Sequence, residues 1–325
     1  MYTLDTLNIF TVEGYGSMTF PSFRPLLRAL YPQGQVVAIG ASWCGQPVGL
    51  ALARMLPGGN SEVLSMFVAA PHRGRGVGTA LLTSLEQALS ERGSVGGELV
   101  YMTGKPSTGA LERLLRKCGW PPSRTRMLVC KGDKKILEAP WMREYRLPSS
   151  FSIFPWREIT EEERAALRRS QERERWIPEY LAPFQHEQTM ERLNSLGLRY
   201  GNQVVGWLIT HRVAPDTVRF TSLFVRKDLQ KMGRAVPLVV EAINRQGREL
   251  GHDSYVIFSV RSDNTPMMRF TKRHFAPYLA SMTETRGTSK LFDKGGREKT
   301  VFGVGQKVGP CVERIASEPP RPATL

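Results

Sequence analysis

The chain has no apolar run approaching the ~18 residues that would span a bilayer. Its first residues, Met1-Tyr-Thr-Leu-Asp, do not form the basic-then-apolar pattern of a secretory signal. A cytoplasmic location is expected by default. Only four cysteines occur (Cys44, Cys118, Cys130, Cys311), with no paired spacing. That excludes a zinc ribbon or a disulfide framework and suits free thiols in a reducing compartment. The five histidines (His72, His186, His211, His252, His274) form no ligand pattern, so no metal is expected. The chain also lacks a dense block of Lys and Arg. Its net charge of +15 is instead spread along its length: 17 Lys/Arg against 10 Asp/Glu in residues 1–150, and 28 against 20 in the remainder. Part of that surplus suits an anionic ligand. The rest reads as solvated surface, or as a face for an acidic protein or RNA.

What is present is size and one distinctive loop. The 325 residues, 41% of them hydrophobic, suffice for two domains. Glu62-Val-Leu-Ser-Met-Phe-Val68 reads as a strand. It runs through Ala-Ala-Pro-His into Arg73-Gly-Arg-Gly-Val-Gly78, and then into a helix with Leu81, Leu82, Leu85, Ala88 and Leu89 on one face. Gly74, Gly76 and Gly78 let backbone N–H groups approach phosphate oxygens, the helix N-terminus adds partial positive charge, and Arg73 and Arg75 add full charges. The Gly-Lys-Ser/Thr ending of a P-loop is missing. The glycines fall every second residue, which is not the dinucleotide fingerprint Gly-x-Gly-x-x-Gly. A plain strand-to-helix turn is the bland alternative.

The plan occurs twice. Gln230-Lys-Met-Gly233-Arg234-Ala235 begins 157 residues after Arg73 and again follows an apolar strand. A helix with Val236, Val239, Ala242 and Ile243 comes next. A repeat at that period means tandem domains. Hairpins are expected around Trp43-Cys-Gly-Gln46 and at Gly201-Asn202, and a capping box at Thr160 and Glu163. The expected division is a first domain over 1–139, a linker over 140–152 and a second domain over 153–308. A proline-rich disordered tail is expected over 309–325.

Arg73-Gly-Arg-Gly76-Val-Gly78 resembles the acyl-CoA-binding motif Arg/Gln-x-x-Gly-x-Gly/Ala of the GNAT acetyltransferase family, and Gln230 to Ala235 fits it too. Thr108 to Trp120, with Lys117-Cys-Gly119-Trp120, is similar to the family's second signature, a helix ending in Lys-x-Gly-Phe. The resemblance implies an α/β (α+β) fold of two GNAT-like domains, each a mixed, mostly antiparallel twisted sheet flanked by helices. It implies acetyl-CoA as cofactor and an amine acceptor as substrate. Cofactor contacts would come from Met66, Phe67, Val68, Arg73, Gly74, Arg75, Gly76, Val77, Gly78 and Thr79. Gln230, Gly233, Arg234 and Ala235 form a second candidate loop.

Amine acetylation needs a held pyrophosphate, a proton acceptor for the amine, and donors for a developing oxyanion. Glu62, eleven residues before Arg73, is the candidate base, directly or through water; a salt-bridged strand carboxylate is the competing reading. The family tyrosine that protonates the thiolate falls at Leu115, which has no proton to give, so Tyr101 or solvent is the expected substitute. In the second half Arg219 stands at the Glu62 position, Phe270 at the tyrosine position and His274 at the glycine. That half reads as a degenerate copy; Asp228 and Glu241 are candidate replacement carboxylates, with no spacing that argues for either. The expected function is acetyl transfer to a primary amine in the first half. A non-catalytic binding or assembly protein, and acyl-CoA chemistry with another group such as decarboxylation or succinyl transfer, remain open alternatives.

Overall fold

The computed structural model of the protein describes residues 1–31, 34–144, 146–230, 233–251 and 253–292. The expected disordered tail lies outside them, as do His252 and Cys311. The strands are β1 (Tyr2–Thr6), β2 (Val36–Trp43), β3 (Gln46–Met55), β4 (Asn60–Val68), β5 (Gly96–Met102), β6 (Arg124–Gly132), β7 (Phe151–Pro155), β8 (Leu196–Tyr200), β9 (Gln203–Ala214), β10 (Thr217–Val225), β11 (Tyr255–Arg261) and β12 (Leu279–Leu291). The helices are α1 (Arg24–Leu27), α2 (Val77–Glu91), α3 (Thr108–Lys117), α4 (Trp141–Glu144), α5 (Glu161–Glu174), α6 (Lys227–Gln230), α7 (Val236–Leu250) and α8 (Thr265–Phe270).

Two compact units result, and neither is one continuous piece of chain. Among the described residues, unit 1 holds Met1–Arg126 and 284–292, and unit 2 holds Met127–Thr283. The divisions fall inside β6 and inside β12, whereas the linker expected over 140–152 lies within unit 2. In unit 1 the strand order is β1-β2-β3-β4-β5-β12; in unit 2 it is β6-β11-β10-β9-β8-β7. Every neighbouring pair within a unit is antiparallel except β4–β5 and β10–β11. Each parallel pair is joined by the long helix, α2 or α7, that follows a candidate loop. The mixed, mainly antiparallel architecture in two repeats is the one expected from sequence. The strand beside β5 comes from the end of the second repeat, and the strand beside β11 from the end of the first.

In unit 1 the apolar face of α2 (Val77, Leu81, Leu82, Leu85, Leu89) packs on Val37, Ile39, Ala41, Ala51, Ala53 and Val63 of the sheet. The small alanines on β2 and β3 leave room for four leucines that are completely buried. Leu115 of α3, Tyr101 of β5 and Phe292 just beyond β12 complete this core. In unit 2, α7 divides its apolar face. Leu238 and Ala242 pack with Leu196, Leu198, Val205 and Leu208, while Val239 and Ile243 pack with Val256 and Phe275. α5 opens with the expected capping box of Thr160 and Glu163 and buries Leu167 beside Trp156 and Trp207.

The β2–β3 hairpin turns at Cys44 and Gly45, both with positive φ (49° and 75°). Such a turn matches the strand twist and favours Asn-Gly, since a Cβ in the left-handed region costs roughly 1–2 kcal/mol and Asn pays less of it. Cys44→Asn is expected to raise stability by about 0.5–1 kcal/mol in urea denaturation.

Candidate functional site

β4 and β5 are paired only at their starts, from Asn60↔Gly96 to Val63↔Leu99. β4 continues to Val68 and β5 to Met102, so the two strands part beyond Val63 and Leu99. A register shift against β3, between Leu52 and Ala53, coincides with the parting. It places one extra residue, Leu64, in β4, and such a bulge bends its strand. Met66, Phe67 and Val68 are half-buried on the free arm of β4, still paired to β3 on the other side.

The loop follows at the open end. A short turn over Ala70–His72 leads to Arg73, whose Nε donates to the Val68 carbonyl at 2.8 Å and folds the loop back on its strand. Gly74 and Gly76 have φ of +75° and +84°, and a Cβ at either would meet no atom within 4 Å. Residues 73–76 are exposed. Gly76 is the N-cap of α2 and offers no side-chain acceptor. Among the described residues no acceptor takes the N–H groups of Arg75, Gly76, Val77, Gly78 or Thr79; the first N–H used by the helix is that of Ala80, donated to the Gly76 carbonyl at 3.0 Å. A run of free amides at a helix start, with open space before it, is the electrostatic complement of a pyrophosphate.

The other candidates sit as follows. Glu62 is on the closed part of the strand pair, opposite Glu98, and its Oε2 accepts from Arg54 Nη2 at 2.9 Å. Tyr101 is on the diverging arm of β5, 8% exposed, and its hydroxyl donates to Glu112 Oε1 of α3 at 2.8 Å. Burial first, and then Glu112, pushes the Tyr101 phenol up from its ordinary value, while Ser123 and Arg286 oppose the rise. The Tyr101 hydroxyl holds the Glu112 carboxyl below the ordinary range, helped by Arg286 and Arg116. Leu115 is buried in the core and offers no hydroxyl. Glu112 and Arg286 carried no sequence signal: Glu112 lies inside the second signature at a position the motif does not specify, and Arg286 is 174 residues away.

Unit 2 repeats the backbone plan with different chemistry. β10 and β11 pair only from Thr217↔Tyr255 to Phe220↔Phe258, so they too part. Gln230 Nε2 donates to the Val225 carbonyl at 2.8 Å, as Arg73 does to Val68. The following amides are partly consumed: Gly233 N–H donates to the Gln230 carbonyl and Val236 N–H to the Gly233 carbonyl. Gly233, Arg234 and Ala235 are half-buried, and the Arg234 guanidinium lies over the Phe151 ring at 5.0 Å. Arg219, at the Glu62 position, is opposite His211 and Ile257. Asp228 is held by Arg226 at 2.8 Å and Glu241 by Arg245 at 2.7 Å.

Much of the arginine excess is similarly committed to ion pairs, such as Arg164–Glu187, Arg199–Glu163 and Arg212–Glu191. These pairs give no support to an acidic protein or RNA partner. No group of side chains among the described residues is arranged to hold a metal. No helix among them is long and apolar enough to cross a membrane. Burial pushes the Cys130 thiol up to about 12.

Similarity to known proteins agrees with this fold. The profile of the Acetyltransferase (GNAT) family matches residues 5–120 and again 156–275. A tandem GNAT protein from the clavulanic acid biosynthesis pathway superposes with a TM-score of 0.58 at 13% identity, covering 91% of this chain and 100% of its own. A GCN5-related N-acetyltransferase from Sphaerobacter thermophilus superposes with a TM-score of 0.54 at 18% identity, covering 92% of this chain and 98% of its own. At these identities the likeness concerns the fold. A search of curated protein sequences finds no match. With the family profile matched twice, the chain belongs to the GNAT acetyltransferase family and carries two GNAT repeats, whose family-level chemistry is acyl-CoA-dependent N-acetyl transfer.

Proposed function

We propose that unit 1 binds acetyl-CoA and transfers its acetyl group to a primary amine, and that unit 2 does not carry the reaction. The observation behind this reading is the run of unpaired amides from Arg75 to Thr79 at the open end of the β4–β5 cleft. Acetyl-CoA supplies an activated thioester. The N–H groups of the loop receive pyrophosphate oxygens, and Arg73 and Arg75 add charge. Met66, Phe67 and Val68 line the free edge of β4, where a backbone N–H near Val68 serves as donor to the acyl oxygen. Arg54 bonds Glu62 through Oε2, and through a water the carboxylate takes the proton of the attacking amine. Tyr101 keeps its phenolic proton at neutral pH and is the donor to the leaving group. The free thiols Cys44, Cys118 and Cys130 suit a cytoplasmic setting.

One observation favours a second reading, in which the chain binds or assembles without catalysis: Glu62 is ion-paired to Arg54 and the tyrosine position is leucine. Mass spectrometry of acetyl-CoA reactions with small amines, peptide N-termini and lysine peptides separates the two. The catalytic reading expects a product with wild-type protein. It also expects Glu62→Gln to slow formation about 100-fold, most below the amine's own pKa, with CoA affinity unchanged. No product with any amine supports the second reading.

A further inference from the structure

The proposed reaction places Tyr101 on the diverging arm of β5, where its hydroxyl is held by Glu112 of the first repeat, and Glu112 is itself held from outside that repeat. Glu112 Oε1 receives two donors: the Tyr101 hydroxyl at 2.8 Å and Arg286 Nη1 at 3.0 Å. Arg286 also donates through Nε to Glu284 Oε2 at 2.9 Å, and that same oxygen accepts from Thr125 Oγ1 at 2.9 Å. The guanidinium is thus anchored at one end and presents its other end to Glu112. Arg286 pairs directly with Tyr101 across β5 and β12, so the register of β12 brings the cation to this tyrosine. Glu112 and Arg286 are about one-third exposed, at 34% and 37%. An ion pair that exposed is worth only about 0–1 kcal/mol to stability. Its larger consequence is for the orientation of the buried phenol.

We propose that Arg286, a residue of the second repeat, is a positioning residue for the first: it fixes the Glu112 carboxylate, which fixes the Tyr101 hydroxyl on the free arm of β5. This rests on the reading of Tyr101 as proton donor. No bond is made or broken by Arg286 or Glu112, and the transferred proton is the phenol's own. The charged and polar groups facing this hydroxyl are Glu112 from α3, Arg286 from β12 and Ser123 from the segment before β6, with Arg116 acting on Glu112. Since Arg286 opposes the rise of the phenol and Glu112 promotes it, the two substitutions have opposite signs.

The test uses the full-length chain labelled with 13Cζ-tyrosine, the Tyr101 signal being assigned by its loss in Tyr101→Phe. Arg286→Met is expected to move the Tyr101 titration to higher pH, and Glu112→Gln to lower pH. In acetyl-transfer assays Arg286→Met is expected to lower kcat about tenfold with the KM for acetyl-CoA unchanged, as for a group that acts only through the donor. Arg286→Lys keeps the charge but not the two-ended fork, so it restores the titration and only part of the rate. A Tyr101 titration and kcat both unmoved in a folded Arg286→Met protein overturn the proposal. If Arg286→Met fails to fold, Glu112→Gln decides: a shift to lower pH supports it and no shift overturns it. If wild-type protein acetylates no amine, the function reading falls and the titration alone decides the positioning.

Discussion

Gly76→Glu is expected to abolish CoA binding, raising Kd at least 100-fold by calorimetry, or about 2.7 kcal/mol. Three effects act together. The residue has φ of +84°, where a side chain costs roughly 1–2 kcal/mol and the backbone relaxes away, carrying its N–H and its neighbours' out of line. The new carboxylate enters the open space before α2, where the phosphates are proposed to sit. A negative group at a helix start also competes for the free amides themselves, as an N-cap does. Gly76→Ala isolates the first effect and is expected to weaken binding far less. Both variants are expected to fold, with the strain confined to the exposed loop, because nothing lies within 4 Å of the new Cβ. An unchanged Kd for Gly76→Glu removes the loop from the site.

Residues 1–139 alone are expected not to fold. That segment holds the whole CoA motif, yet it lacks the strand that closes its own sheet. Thr285 to Leu291 of β12 pair with Met102 to Gly96 of β5. Side chains from β12 then tie down the end of α3: Thr288 Oγ1 donates to the Pro121 carbonyl at 2.7 Å, and Lys290 Nζ donates to the Cys118 carbonyl at 2.7 Å and to Glu86 Oε2 of α2 at 2.6 Å. Glu86 in turn accepts from Trp120 Nε1. Phe292 enters the core of unit 1 at 8% exposure. Loss of a buried phenylalanine alone costs about 3–5 kcal/mol, a large share of the 5–15 kcal/mol that holds a typical domain together. The fragment is expected to give a collapsed proton–nitrogen spectrum and no CoA binding, and a fusion of residues 279–292 to its end to recover both. A fragment that folds unaided, with β6 taking the place beside β5, contradicts this dependence. In the full chain, Phe292→Ala is the milder version, with the same ~3–5 kcal/mol loss read in urea.

Local chemistry made much of this legible from sequence. The alternation of Arg73 to Gly78, the leucine spacing of α2, the turn at Gly201 and the Thr160–Glu163 box are short-range patterns, and each is found where it was read. The repeat was legible because Gln230 holds the Val225 carbonyl as Arg73 holds Val68's, so the same spacing does the same work. The exchange of β6 and β12 was not legible. A strand's apolar alternation shows that it pairs, not which sheet it joins, and hairpin logic assigns it to its sequence neighbours. For the same reason Arg286 went unread: its partners Glu112 and Tyr101 are set by the register of β12, which no local spacing encodes. For Glu62 the sequence leaves two outcomes open, because its cross-strand partner Arg54 is set by the β3–β4 register.

In the proposed complex the amides of Arg75 to Thr79 receive the pyrophosphate of CoA. Titration of the labelled full-length protein with CoA, followed by its backbone amide signals, tests it residue by residue. Saturable shifts are expected at Arg75, Gly76, Val77, Gly78 and Thr79, and smaller ones at Gly233 to Val236, where two amides are already engaged. Silence at residues 75–79, or shifts confined to 233–236, contradicts it.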